Sequence, residues 1–136
     1  MECVFCRIAK GELEHWKVYE DERTIAFLDK YPIAKGHTLV ATKKHYENLL
    51  DVPEEDLKAL IAAVKKVAKA VYESMKCDGF NIGQNNFSAA GQIVFHLHFH
   101  IIPRFENDGI FKRAPEEKVD GKEMGKISEK IKKGLG

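Results

Sequence analysis

The chain has 136 residues, 44% of them hydrophobic and 32% charged, with a formal net charge of +1. That length suits one domain with a real core, and so small a charge gives no electrostatic footprint for nucleic acid. No run approaches the ~18 consecutive apolar residues of a membrane span, and Met1-Glu2-Cys3 does not begin a signal peptide, so a cytoplasmic protein with no membrane partner is expected.

Cys3-Val4-Phe5-Cys6-Arg7-Ile8 opens the sequence with a Cys-x-x-Cys knuckle. Three cysteines, two of them close together, do not make a disulfide framework; such a pair more often binds metal or does redox chemistry. A zinc site needs two further ligands from elsewhere, a thioredoxin-like site needs a βαβ context that is missing here, and coincidence is the third reading.

After Gly11, residues 16–19 and 24–28 read as two short strands around the polar turn Glu20-Asp21-Glu22-Arg23. Asp29 ends the second, Pro32 and Gly36 mark a loop, and residues 37–41 make a third strand. Residues 43–50 suggest a short helix with Lys43 and Lys44 on a solvated face. From residue 53 to residue 75, Leu57, Leu60, Ile61, Val64, Val67, Ala68, Val71, Tyr72 and Met75 recur at helical spacing. Asp51 is the expected cap, with Pro53 and Glu54 in the first turn. This long helix offers core packing or a dimer face, and Cys77 beyond it a small buried residue.

Residues 80–84 read as a strand entered through Gly79. Residues 85–92 form a small-residue loop, able to bring backbone N–H groups to an anion or merely to connect a hairpin. Past Arg104 the sequence turns polar. Residues 126–135 are basic, with Ile127, Ile131 and Leu135 on one stripe, as in a docked terminal helix.

The loop leads into Ile93-Val94-Phe95-His96-Leu97-His98-Phe99-His100-Ile101-Ile102-Pro103-Arg104. Successive side chains of a strand alternate faces, so His96, His98 and His100 are expected on one face and Phe95, Leu97, Phe99 and Ile101 on the other, in the core. His96 and His100 would stand roughly 13 Å apart in a regular strand, too far for one metal ion to take all three rings. The row must divide its labour.

These residues resemble the histidine triad (HIT) family, whose signature His-φ-His-φ-His-φ-φ (φ apolar) is matched without a break by residues 96–102. The likeness extends over residues 3 to about 104, through Cys3 to Ile8, Ala26-Phe27-Leu28-Asp29, Lys35-Gly36-His37-Thr38-Leu39-Val40, Lys43-Lys44-His45 and Gly91-Gln92. It is closest to the prokaryotic HIT-like hydrolases related to Hint. The resemblance implies an α+β fold with an antiparallel sheet of about five strands, one long helix and a short one, in a two-fold homodimer. The whole chain, 1–136, would be one HIT domain, with residues 105–136 as a C-terminal extension.

It also implies a nucleotide hydrolase or transferase acting at the α-phosphate of a nucleoside phosphoramidate or a (di)nucleoside polyphosphate. His98 would be the nucleophile, forming a covalent nucleotidyl-histidine that water hydrolyses; His100 would bond the phosphate, with His37 as a supporting hydrogen-bond partner. Asn85, Gly91 and Gln92 match positions that hold the phosphate or leaving group, and Asp29 matches the carboxylate on the ribose hydroxyls. Phe5, Ile8, Phe27 and Leu39 match the cleft around a purine. Cys3, Cys6, His45 and His96 match a closed, structural zinc site of metal-containing members. Ile93 departs from the pattern: the Hint branch has Ser there and the fragile-histidine-triad branch Thr, near the leaving group, so substrate preference does not carry over. That departure keeps a nucleotide-binding sensor or scaffold with little turnover in play. A hydrolase with catalytic zinc is the third alternative.

Overall fold

Short runs of β-branched and aromatic residues supply the strands of the computed structural model, which describes residues 3–111 and 114–136. These are β1 (Lys17–Glu20), β2 (Thr24–Leu28), β3 (Thr38–Thr42), β4 (Gly79–Gly83) and β5 (His98–Arg104). All neighbours are antiparallel, in the order β1-β2-β3-β5-β4. The helices are α1 (Val4–Ala9), α2 (Glu54–Met75) and α3 (Gly121–Gly134). The α+β class with one five-stranded sheet is as expected from the sequence, and α2 is its one long helix against the sheet. No helix among the described residues is long and apolar enough to cross a membrane.

The side-chain alternation of β2 and β3 builds two cores. Ala26 and Val40 face α2, where Leu60, Val64, Val67 and Val71 meet Leu97 and Ile101. Ile25, Phe27, Leu39 and Ala41 face the other way and are covered by Phe5 and Ile8 of α1. Each such Val, Leu or Phe is worth about 1.5–3 kcal/mol of burial, which is why the central strands are buried on both faces. Register carries this pattern into β5: Leu39 opposes His100 and Ala41 opposes His98, while Val40 opposes Phe99 and Thr38 opposes Ile101. The two later histidines therefore share the α1 face of the sheet, and Phe99 and Ile101 the α2 face.

Four expectations need correcting. β5 begins at His98, so His96 precedes the strand, and Phe95 is 39% exposed where a core residue was expected. Residues 43–50 are turns, not a helix: Asp51 accepts from the N–H groups of Glu47 and Asn48, and the Asn48 side chain accepts from Leu50 N–H. Its carboxylate thus committed, Asp51 does not cap α2, which starts at Glu54 after an N-cap Pro53 that offers no side-chain cap, and which has Glu54, Glu55 and Asp56 against its dipole. The short helix of the fold is instead α1. Finally, α3 is capped by Asp120 as it should be, yet none of its residues is buried, because α1 and α2 already cover the two sheet faces.

Gly36, before β3, has φ +92°, and a Cβ there would stand 2.9 Å from Met75 Cγ on the last turn of α2. Gly36→Ala combines a left-handed backbone with a clash against a side chain packed on the core, so a loss of about 2 kcal/mol is expected. A thermal melt within about a degree of the parent's would contradict that.

Candidate active site

Hydrogen bonds assign the ring protons of His37, His96, His98 and His100. His98 Nδ1 lies 2.6 Å from the His96 carbonyl, so Nδ1–H donates and Nε2 keeps its lone pair. The ring stands edge-on to Phe5 at 4.9 Å between centroids. Burial, the largest influence, holds the His98 pKa below the usual 6.5 against the opposing pull of that carbonyl. A neutral imidazole with a free, fixed nitrogen is a nucleophile in its reactive form.

His37 sits just before β3 and is buried. Its Nδ1 accepts the Ile33 N–H at 3.1 Å, which puts its own proton on Nε2. Nε2–H then donates to His100 Nδ1 at 2.9 Å, so His100 must carry its proton on Nε2. Asp29 Oδ2 stands 3.5 Å from His37 Nε2, and Asp29 Oδ1 accepts from Tyr31 N–H. Burial lowers the pKa of both His37 and His100, with the Asp29 carboxylate pulling the other way. His100 is thereby made a neutral donor beside a neutral nucleophile, the two ring centroids 4.9 Å apart. This arrangement can attack an electrophilic centre at one nitrogen and donate a hydrogen bond to the charge that develops.

Among the described residues, two groups of side chains have metal-ligand composition: Cys3 with Cys6, His45 and His96, and Asp29 with His37 and His100. Ring protons separate them. His96 Nε2–H donates to the Thr42 carbonyl at 2.6 Å, leaving Nδ1 bare toward Cys3 Sγ at 3.3 Å and Cys6 Sγ at 3.5 Å. Cys6 Sγ is 3.4 Å from His45 Nδ1. Tetrahedral zinc with ordinary bond lengths separates a sulfur from a nitrogen ligand by about 3.5 Å, so this donor set fits zinc. Burial also drops the His96 pKa to about 4, which keeps the ligand neutral. In the second group His37 offers a nitrogen that holds its proton, and hydrogen bonds account for the contacts.

The sequence-predicted residues thus gather as two adjoining clusters, with His96 carrying its ring into one and its carbonyl into the other. Phe5, Ile8, Phe27 and Leu39 pack together beneath the histidines as one buried cluster. In the loop before β5, Gln92 is 4% exposed and its side chain is engaged: Oε1 accepts Phe87 N–H at 2.7 Å, and Nε2 donates to the carbonyls of Glu47 and Val94. Gly91 has φ +90° and faces the Asn85 side-chain amide. Asn86 accepts from Leu49 N–H, tying the loop to the turns at 45–51. Ile93 is 88% exposed.

Two residues escaped the sequence reading. His15 lies with its ring 6.1 Å from that of Phe27, its Nδ1 on the Leu13 carbonyl. Phe87 has φ 71° and ψ 159°, a region almost reserved for glycine, where a side chain costs on the order of 1–3 kcal/mol. A lone histidine in a polar segment gives no periodic signal, and a phenylalanine disguises a turn that glycine would announce.

A family model for the HIT domain matches residues 10–107. An uncharacterized HIT-like protein of Methanocaldococcus jannaschii is 49% identical over 87% of this chain and 92% of its own. An adenosine 5′-monophosphoramidase of Candida albicans is 38% identical over 98% and 91%. Among solved structures, a protein of Streptococcus mutans superposes with a TM-score of 0.94 at 41% identity, covering 99% of this chain and 86% of that one. A Zn-bound histidine triad family protein of Mycobacterium smegmatis has a TM-score of 0.77 at 36% identity, covering 98% of both.

Proposed function

This chain belongs to the HIT domain family, and from that premise we propose that it is a nucleotide hydrolase working through a covalent nucleotidyl-histidine at His98. The observation that carries the reading is the His98 ring, neutral by burial and anchored through Nδ1 so that Nε2 alone is free. Nε2 attacks the α-phosphorus of a nucleoside phosphoramidate or (di)nucleoside polyphosphate. As the P–Nε2 bond forms, the bond to the leaving group breaks; its electron pair departs with that group, which takes a proton from solvent. Water then attacks the adduct, the P–Nε2 pair returns to the ring, a proton goes to solvent, and a nucleoside monophosphate is released. His100 Nε2–H donates to a phosphoryl oxygen in both steps, held in that tautomer by His37 as a positioning residue.

Asp29, with its side chain 19% exposed, suits the ribose hydroxyls, and Phe5, Ile8, Phe27 and Leu39 make the apolar floor for a purine. Asn85 and Gly91 present the loop to the phosphate, and Gln92 acts by fixing that loop's shape. Cys3, Cys6, His45 and His96 would hold a structural zinc that braces α1 against the segment leading into β5; it would supply cross-linking and no step of the reaction. A homodimer is part of the same reading.

The direct test incubates the protein with adenosine 5′-phosphoramidate, quenches in base and looks by mass spectrometry for one nucleotidyl group on the peptide containing His98. Binding without adduct or released AMP, across adenylated and guanylated substrates alike, would favour a nucleotide sensor instead. The pH profile gives a second check. Protonated Nε2 cannot attack, and burial has moved that protonation below the ordinary 6.5, so the acid limb of kcat/KM should be centred below 6.5. An acid limb centred at or above 6.5 would contradict the neutral, buried nucleophile.

A further inference from the structure

His15, just before β1, has one ring nitrogen committed and the other not. A carbonyl oxygen only accepts, so the 3.0 Å contact to the Leu13 carbonyl puts the ring proton on Nδ1. Nε2 of the neutral ring is then an acceptor, and among the described residues no hydrogen bond reaches it. Leu13, whose carbonyl fixes the ring, also packs its own side chain against the cluster of Phe5, Ile8, Phe27 and Leu39. A half-buried, oriented acceptor therefore stands at the edge of the apolar floor.

Ring contacts place it at one end of a row. His98 stands 4.9 Å from Phe5, Phe5 5.3 Å from Phe27, and Phe27 6.1 Å from His15, each pair edge-on. The sheet imposes the order: the nucleophile is on β5, Leu39 on β3, Phe27 on β2, and His15 leads into β1. A nucleotide with its phosphorus at His98, its ribose at Asp29 and its base on Phe27 turns the far edge of that base toward His15. We propose that His15 selects the nucleobase, its Nε2 accepting a hydrogen bond from the 6-amino group of an adenine nucleotide. Guanine and hypoxanthine carry an oxygen at that position, and two acceptors set face to face lose the bond while keeping the cost of desolvation. This rests on the nucleotide reading of the site and extends it to the base, on which the chemistry at His98 makes no demand.

The experiment compares kcat/KM at pH 8 for the 5′-phosphoramidates of adenosine, inosine and guanosine. The parent should favour adenosine over inosine about tenfold, the discrimination that one misplaced hydrogen bond gives. His15→Phe keeps an aromatic ring against Phe27 and removes the acceptor, so that ratio should fall to within about twofold of one. The loss should appear in KM for adenosine, because the amine is remote from the phosphorus. His15→Ala should do the same, which frees the result from how a phenylalanine packs. The ratio of dissociation constants for AMP and IMP, measured on the same proteins, reads the base without turnover. A parent that favours inosine or guanosine, or a ratio within about twofold of the parent's in both variants, would overturn the role of His15. If no phosphoramidate were turned over, the hydrolase reading would fall and the binding ratio would still decide for or against His15; binding of neither nucleotide would sink both.

Discussion

Replacing His98 by alanine is expected to cut kcat by about 10⁴-fold or more while the protein still folds and binds nucleotide. The size follows from the geometry. No neighbour can take over the attack: His100 presents a protonated nitrogen, because its other nitrogen accepts from His37, and the free nitrogen of His96 points into the cysteine cluster. Loss of the ring also frees the His96 carbonyl and opens a small space against Phe5, so some stability goes with it. Released mononucleotide and the covalent adduct should vanish together. Turnover at the parent rate would remove His98 from the mechanism, and an adduct appearing on another histidine would reassign it. His37→Ala makes the instructive contrast, since it leaves Nε2 of His98 in place but unpins the His100 proton; its loss should be smaller and should reshape the pH profile.

How far the sequence could be read depended on whether side-chain pattern or backbone conformation decided each segment. From His98 to Ile101 alternation settled the matter, because Phe99 and Ile101 must go to the α2 side and the histidines had nowhere else to go. At His96 the face was read correctly, its ring lying 5.8 Å from Phe5 on the α1 side with Leu97 in the α2 core, but the residue stands before the strand and not in it. Its ring turns to the cysteines and its Nε2–H to Thr42, which a residue locked in the sheet ladder would not accommodate. Tyr46, Leu49 and Leu50 have helical spacing, yet Asn48 and Asp51 capture the local N–H groups and make turns of them. The stripe on α3 correctly announced a helix, but periodicity says nothing about whether a groove is left to receive it. Phe87 was illegible for a different reason: its φ is dictated by Gln92 five residues later, and nothing in the identity of phenylalanine signals that.

The second large effect concerns His96. It is fully buried, its Nδ1 completes the Cys3, Cys6 and His45 cluster, and its Nε2–H is the partner of the Thr42 carbonyl. His96→Ala removes a ligand, leaves a buried carbonyl without its donor and opens a cavity, so a loss of about 3–5 kcal/mol is expected. For a chain of this size that is on the order of a 10 °C fall in the melting temperature. Two arms separate metal from packing. If the cluster holds zinc, the purified protein should carry one zinc per chain, a strong chelator should lower its melting temperature, and Cys6→Ser should abolish that response. Catalysis should respond differently, because what orients His98 is the carbonyl of residue 96, which alanine also possesses. In the folded fraction at low temperature, His96→Ala should therefore lose far less kcat than His98→Ala. A chelator that left the melting temperature untouched, in protein containing no zinc, would reduce the cluster to two half-buried thiols, an exposed imidazole and a buried one. A kcat collapse equal to that of His98→Ala would mean that the His96 ring itself, and not only its backbone, sets the nucleophile.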